Sequence, residues 1–334
     1  MKRRDTLAVL GFGAASWLTG CGGSSGSAAA DSAGISGAQT TTTAAQDIVA
    51  NAVLSIAQAD PNLSTLAEVV ASAGLGDIIK PGGPFTLFAP VNAAFTALLA
   101  ELGLTKAQLL ADKPLLTQVL TYHLLAVKVM RAGIPSGKAI TTVQGGIIKI
   151  DIAGVAATIT DGRNRTGTIL KPDLLAGTGV VHTVDRVLLP ANKTLWQTVQ
   201  SRPDFSILAE ALTAANMQNE LTEPALKTLF APTNTAFAQL LTQINFSKAA
   251  LLASGPLLAD VLHYHLLTGR WLKADLPIDT PIVTQEGSAF RVSHDMVITD
   301  ELLRPSLITA TDVMATNGVI HVVDQVLLHI LITT

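Results

Sequence analysis

The sequence predicts an α+β protein made of two tandem copies of one unit. Three observations carry that reading. First, segments of the chain return at a near-constant offset of 142 or 139 residues. A period that long is far above the 20–50 residues of a solenoid repeat, so each copy is a domain with its own core. Second, within each copy helical apolar patterns come first, and Val/Ile/Thr-rich runs broken by Gly and Asp come after them. Helices followed by strands argue for α+β rather than alternating α/β. Third, the 334 residues are 49% hydrophobic and only 14% charged, enough apolar material for large cores. At ~100–200 residues per domain the length agrees with two units.

The first copy can be read in order. Ile48, Val49, Ala52, Val53 and Ile56 share one helical face, predicting a helix over 48–59 that Asp60-Pro61 stops. Ser64 caps a second helix to about Ser72. Phe85 to Ala89 is a short buried strand ended by Pro90. Asn92 is placed to cap the next helix, which carries Phe95, Leu98 and Leu99. Thr105 caps a short helix, and Pro114 suits the first turn of the helix that runs through Tyr122 and His123. Residues 127–189 then read as successive strands. The boundary between copies falls near Pro190-Ala191-Asn192.

The N-terminus reads as an address. Lys2, Arg3 and Arg4 precede an apolar run from Leu7 to Leu18, too short to span a bilayer but suited to a secretory signal. Leu18-Thr19-Gly20-Cys21 resembles the bacterial lipobox, in which the cysteine is lipidated after cleavage. Cys21 is the sole cysteine of the chain, so neither an internal disulfide nor a thiolate metal cluster is available. Arg3-Arg4 also resembles a twin-arginine export signal, which stays open beside general secretion. The expected organisation is a signal peptide at 1–20, lipidated Cys21 with a Gly/Ser/Ala/Thr tether at 21–46, and units at 47–190 and 191–334. Removing residues 1–20 takes away three basic residues and one acidic one, moving the net charge from −3 to −5. That balance excludes a nucleic-acid partner, which would need a basic surface.

Three repeated blocks carry the rest. Thr86-Leu87-Phe88-Ala89-Pro90-Val91-Asn92-Ala93-Ala94-Phe95 returns as Thr228-Leu229-Phe230-Ala231-Pro232-Thr233-Asn234-Thr235-Ala236-Phe237. Tyr122-His123-Leu124-Leu125 returns as Tyr264-His265-Leu266-Leu267. Gly179-Val180-Val181-His182-Thr183-Val184-Asp185 returns as Gly318-Val319-Ile320-His321-Val322-Val323-Asp324. The first and third blocks resemble the two signature blocks of fasciclin domains, and the Tyr-His segment resembles the motif between them. The resemblance covers nearly everything after the tether. It implies two tandem fasciclin-like domains, each a twisted β wedge or sandwich of about seven strands with packed helices. It also implies an extracellular or cell-surface adhesion role without catalysis.

The site residues follow. Phe88, Phe230, Phe95 and Phe237 read as core, and Asn92 and Asn234 as helix caps. His182 and Asp185 lie three apart in a strand, as do His321 and Asp324, so each pair points to opposite faces and makes no simple catalytic or metal pair. The histidines read as buried and hydrogen-bonded, the aspartates as anchors for turns or backbone amides. In animal members of the family the Tyr-His motif and an Asp-Ile motif are linked to integrin binding. The matching positions here are Tyr122, His123, Tyr264 and His265, with Asp173-Leu174 and Asp312-Val313 lacking the isoleucine. Tyr122, His123, Tyr264, His265, Asp173 and Asp312 are therefore the candidate partner contacts, beside a purely structural reading. On a helix, neighbours point ~100° apart, so one of each Tyr-His pair is expected inward.

No metal-ligand spacing, P-loop or dinucleotide fingerprint is present, so no cofactor or metal and no catalytic residue is expected. The function expected is that of a membrane-anchored cell-surface or periplasmic adhesion module. Its partner would be a cell-surface or matrix protein or polysaccharide. The alternative is a carrier or sensor of an apolar small molecule, a lipid or pigment.

Overall fold

The computed structural model describes residues 55–56, 59–73 and 83–332. The signal, Cys21, the tether and most of the 48–59 helix lie outside the described residues.

In the first unit, a 3-10 turn at Pro61–Leu63 leads into α1 (Ser64–Ala73). Strand β1 (Thr86–Pro90) follows, then α2 (Asn92–Leu102), α3 (Lys106–Ala111) and α4 (Lys113–Tyr122). The remainder is β: β2 (Leu124–Leu125), β3 (Ala139–Thr141), β4 (Ile147–Ala153), β5 (Ala156–Thr160), β6 (Thr166–Ala176) and β7 (Gly179–Val184). The seven strands form one sheet in the order β2-β1-β7-β6-β5-β4-β3. Only the β1–β7 contact is parallel, with Phe88 opposite His182. The two signature blocks are thus neighbouring strands at the heart of the sheet.

The second unit repeats this. Its elements are α5 (Leu195–Gln200), α6 (Ser206–Ala214), β8 (Lys227–Pro232), α7 (Asn234–Gln243), α8 (Lys248–Leu252) and α9 (Pro256–Tyr264). Then come β9 (Leu266–Thr268), β10 (Ile282–Val283), β11 (Ala289–Val292), β12 (Val297–Thr299), β13 (Pro305–Ala315) and β14 (Gly318–Val323). The sheet order is β10-β11-β12-β13-β14-β8-β9, with β8 and β14 parallel and Phe230 opposite His321.

Each unit has two apolar layers, one on either side of its central strands. In β1, Leu87 and Ala89 join Leu66, Phe95, Leu98, Leu116 and Leu120 under the helices. Phe88 points the other way, into a layer with Tyr122, Ile148, Ile150, Ile159 and Leu188 inside the curled sheet. A strand buried on both faces must be apolar throughout, which is why Leu-Phe-Ala reads as a continuous run rather than an alternation. The long strands β6 and β13 each lose register twice against their neighbours, first at 169–171 and 308–310 and then around Asp173 and Asp312. A bulge bends a strand and increases its twist, so the sheet curls round its own layer. Both aspartates sit at positive φ, 62° and 61°, a conformation that short polar side chains tolerate.

One expectation is corrected here. Asn92 does not cap its own helix; Val91, extended at φ −74°, occupies the cap position. Asn92 is the first helical residue, and its side chain crosses to the neighbouring helix. Its Oδ1 accepts from Thr65 N at 2.9 Å, and its Nδ2 donates to the Pro61 carbonyl at 2.9 Å and Ser64 Oγ at 3.0 Å. Asn234 does the same for Ile207 N, Pro203 and Ser206, while Thr233 caps α7. The blocks therefore use their asparagine to bolt two helices together. Among the described residues no helix is long and apolar enough to cross a membrane.

Candidate functional site

Helix α4 ends at Tyr122, and His123 is its C-cap, still at helical backbone angles. Tyr122 drops into the sheet-side layer. Its hydroxyl donates to the Ile147 carbonyl and accepts from Gly162 N at 2.7 Å. Tyr264 repeats this with Ala289 and Glu301 N at 2.9 and 3.0 Å. Burial raises both phenol pKa values, so the hydroxyls stay protonated donors.

His123 Nδ1 lies 2.7 Å from the Val119 carbonyl and must donate, while Nε2 accepts from Leu188 N at 2.9 Å. His265 makes the same pair with Val261 and Leu327 N at 2.7 and 3.0 Å. These bonds specify the neutral Nδ1–H tautomer, and burial pushes both pKa values down to about 4. His182 and His321 hold the opposite tautomer. His182 Nε2 donates to the Val129 carbonyl at 2.9 Å and Nδ1 accepts from Asp173 N at 3.1 Å. His321 bonds the Trp271 carbonyl and Asp312 N at 2.8 and 3.4 Å. Burial lowers both of these pKa values as well. All eight ring nitrogens of these four histidines are spent on backbone groups.

The expectation that Tyr122, His123, Tyr264 and His265 contact a partner is therefore corrected: all four are fully buried. The expectation that only one of each pair faces inward is corrected too. The two side chains still leave in different directions, but both directions are covered: Tyr122 enters the sheet-side layer, and His123 is closed over by the segment at Leu188. Asp185 and Asp324 lie past the strand ends and clamp backbone amides, Thr168 N at 2.6 Å and Leu307 N at 2.7 Å.

Sequence reasoning missed a buried ion pair present in both units. Asp161 accepts from Arg165 Nε at 2.9 Å and its terminal nitrogen at 2.6 Å, and also from the Arg163, Arg165 and Leu189 amides. Asp300 does the same with Arg304, Leu302 N and Leu328 N. Each arginine goes on to a carbonyl, Val187 or Val326, at 2.8 Å. The available signal was Asp-x-x-x-Arg at one repeat position. No group of three or more metal-ligating side chains converges among the described residues.

Side chains of the two units meet in a seam. Lys149 of β4 reaches across to Asp312 Oδ2 at 2.9 Å and also pairs with Asp151 at 3.1 Å. Asn164 takes both backbone groups of Met314: its Oδ1 accepts from Met314 N at 2.6 Å and its Nδ2 donates to the carbonyl at 3.1 Å. Lys138 and Asp275 add a looser pair at 3.5 Å. Asp312 is thus occupied by the neighbouring unit and by Lys273 N at 2.6 Å, whereas Asp173 holds only its equivalent of the latter, Arg131 N at 2.7 Å. Clefts flank the seam. One of about 330 Å³ is lined by Gly145, Gly146, Ala191, Arg270 and Met314, and one of about 480 Å³ by Arg163, Arg165, Lys193, Arg202 and Glu101. The first is lined mainly by polar surface, the second by more apolar than polar surface.

Comparison with known proteins agrees with this architecture. The fasciclin domain model matches residues 61–190 and 203–329. Human periostin is 31% identical over 268 residues, 79% of this chain and 30% of periostin. The pig transforming growth factor-beta-induced protein ig-h3 is 30% identical over 251 residues, 74% of this chain and 35% of that protein. The chain therefore spans about a third of the length of these two relatives. An uncharacterized Synechocystis protein is 34% identical over 138 residues, 41% of this chain and 96% of that protein. A solved FAS1 domain pair from the insect cell adhesion molecule Fasciclin I aligns at TM-score 0.40 and 18% identity, covering 84% of this chain and 98% of that one. With a family model matched in both halves, the chain belongs to the fasciclin domain family.

Proposed function

We propose that the protein is a non-catalytic adhesion or binding module of the cell envelope, lipid-anchored through Cys21. Its two fasciclin domains, taken as 47–190 and 191–334, are presented on the 21–46 tether to an extracellular protein or matrix polysaccharide. The observation that carries this reading is how the polar motif residues are used. The tyrosines and the four repeated histidines are committed to backbone groups, and Asp161 and Asp300 to backbone amides and the neighbouring Arg165 and Arg304, inside each unit. They build a surface-bearing scaffold, and none of these side chains is left free to act as a nucleophile or a base. The fasciclin domain match in both halves supports the same class of role.

Two linked domains raise avidity ~10²–10⁴-fold when both engage one surface. Deleting the gene should therefore reduce attachment of cells to surfaces and to one another. Wild-type protein should restore it, and Cys21→Ser should appear in the soluble fraction and fail to do so. Attachment unchanged by deletion would overturn the adhesive reading. Cys21→Ser protein that still sediments with membranes would overturn the anchor alone.

A further inference from the structure

The two units share one topology and repeat offset pattern, yet the seam uses one face of each. The first unit contributes Lys149 and Asn164, and the second contributes the bulged stretch Asp312-Val313-Met314. Each unit therefore keeps an unused copy of the face its neighbour employs. At an offset of 139, the first unit carries Asp173-Leu174-Leu175 in place of Asp312-Val313-Met314. In the second unit, Arg291 stands where Lys149 does, at an offset of 142, and Leu303 stands where Asn164 does, at 139.

The unused socket is already built. Asp173 has the same left-handed backbone as Asp312. It accepts the equivalent amide, Arg131 N rather than Lys273 N, and is backed by the equivalent histidine. The difference is cover. Met314 is 2% exposed and Leu175 is 67% exposed. The Asp312 side chain is 3% exposed and that of Asp173 is 34%. The unused plug is equally available. Arg291 lies on the surface with a single bond from its guanidinium to the Asp279 carbonyl at 2.7 Å. Leu303 is 81% exposed and sits at φ 59°, a costly conformation for leucine that the turn nonetheless imposes.

We propose that this plug and socket join a second copy of the same chain, head to tail. The second unit of one copy sets Arg291 on Asp173 and Leu303 on Leu175 of the next, continuing the seam found within the chain. The joint keeps the cation–carboxylate pair and exchanges the asparagine–backbone bonds for leucine against leucine. A contact between different faces does not use itself up, so it propagates into strings or rings. The seam within a chain has the help of an effective concentration of order mM, which the joint between chains lacks. It is therefore weak in dilute solution and forms where chains are crowded. It holds whether or not the domains also bind a foreign partner.

The test is sedimentation of the purified full chain in mild detergent over a rising concentration series. Wild type should gain mass with concentration. Leu175→Asp and Leu303→Asp, both at exposed positions, should each stay monomeric with an unchanged circular dichroism spectrum. Their equimolar mixture should form dimers, because each variant retains the face the other has lost. Arg291→Glu breaks the same joint by charge and serves should either leucine variant misfold. Wild type that stays monomeric throughout, a folded variant that associates like wild type, or a mixture of folded variants that remains monomeric would each overturn the proposal.

Discussion

At the scale of single residues, the motif histidines are the best guide to what the family blocks do. His123 and His265 are held neutral inside the fold at pKa values of about 4, against about 6.5 when unfolded. Between those values the unfolded chain binds more protons than the folded one. Their contribution to stability is thus fully present above pH ~6.5 and lost as the pH falls towards 4, by up to about 3 kcal/mol each. Urea midpoints measured from pH 7 to 4 should fall steadily, and changing both histidines to Gln should flatten that slope while lowering stability at pH 7. A midpoint unchanged over that range would contradict the assigned tautomers. The burial of His182 and His321 was legible because each sits inside a short apolar strand, and both strands are buried at every position. That of Tyr122 and His123 was not legible, because the destination of a side chain at a helix cap depends on where the chain turns next. Asn92 misled for a related reason: its type suits a cap, but the helix it serves begins 28 residues earlier, and no local pattern records that.

At the scale of elements, the order of helices then strands, the buried first block and the repeat offset were all legible, since each rests on local periodicity. The seam was not. Lys149 meets Asp312 across 163 residues, and the only trace in the sequence is that the copies differ at its contact positions. Close approaches between elements were also invisible. A Cβ on Gly318, at the start of β14, would lie 2.1 Å from the Lys227 carbonyl oxygen of β8, and one on Gly179 would lie 2.3 Å from the Phe85 ring. Alanine at either position should cost about 1–3 kcal/mol by overpacking. Gly318→Ala should cost more, because a paired strand backbone yields less than a ring. Denaturant midpoints of the two variants decide this, and equal, negligible losses would contradict the strand contact.

At the scale of the molecule, two complete cores are joined by a narrow polar seam. Each half, 47–190 and 191–334, should fold cooperatively when made alone, as the near-complete match to a relative of single-unit size suggests. The second half should lose more stability on separation than the first. Freed from Lys149 and Asn164, it exposes Met314, while the Asp312 carboxylate gains water as its counterpart Asp173 already has, so the loss is about 1–2 kcal/mol, mainly from the uncovered methionine. Calorimetry of the halves and of the full chain measures this. A half that unfolds without a cooperative transition would show instead that the seam is part of a single core.

The parallel contact between β1 and β7 also has a meaning in time. The strand that opens each sheet finds its central partner only in the strand that closes it, Thr86 with Val180 and Lys227 with Gly318. Nearly a hundred residues must be made or threaded before that loop can shut, and long loops make folding slow. As the polypeptide emerges from a ribosome or a translocation channel, each domain stays open until its last strand arrives. It then closes around a partner that has been waiting since the beginning.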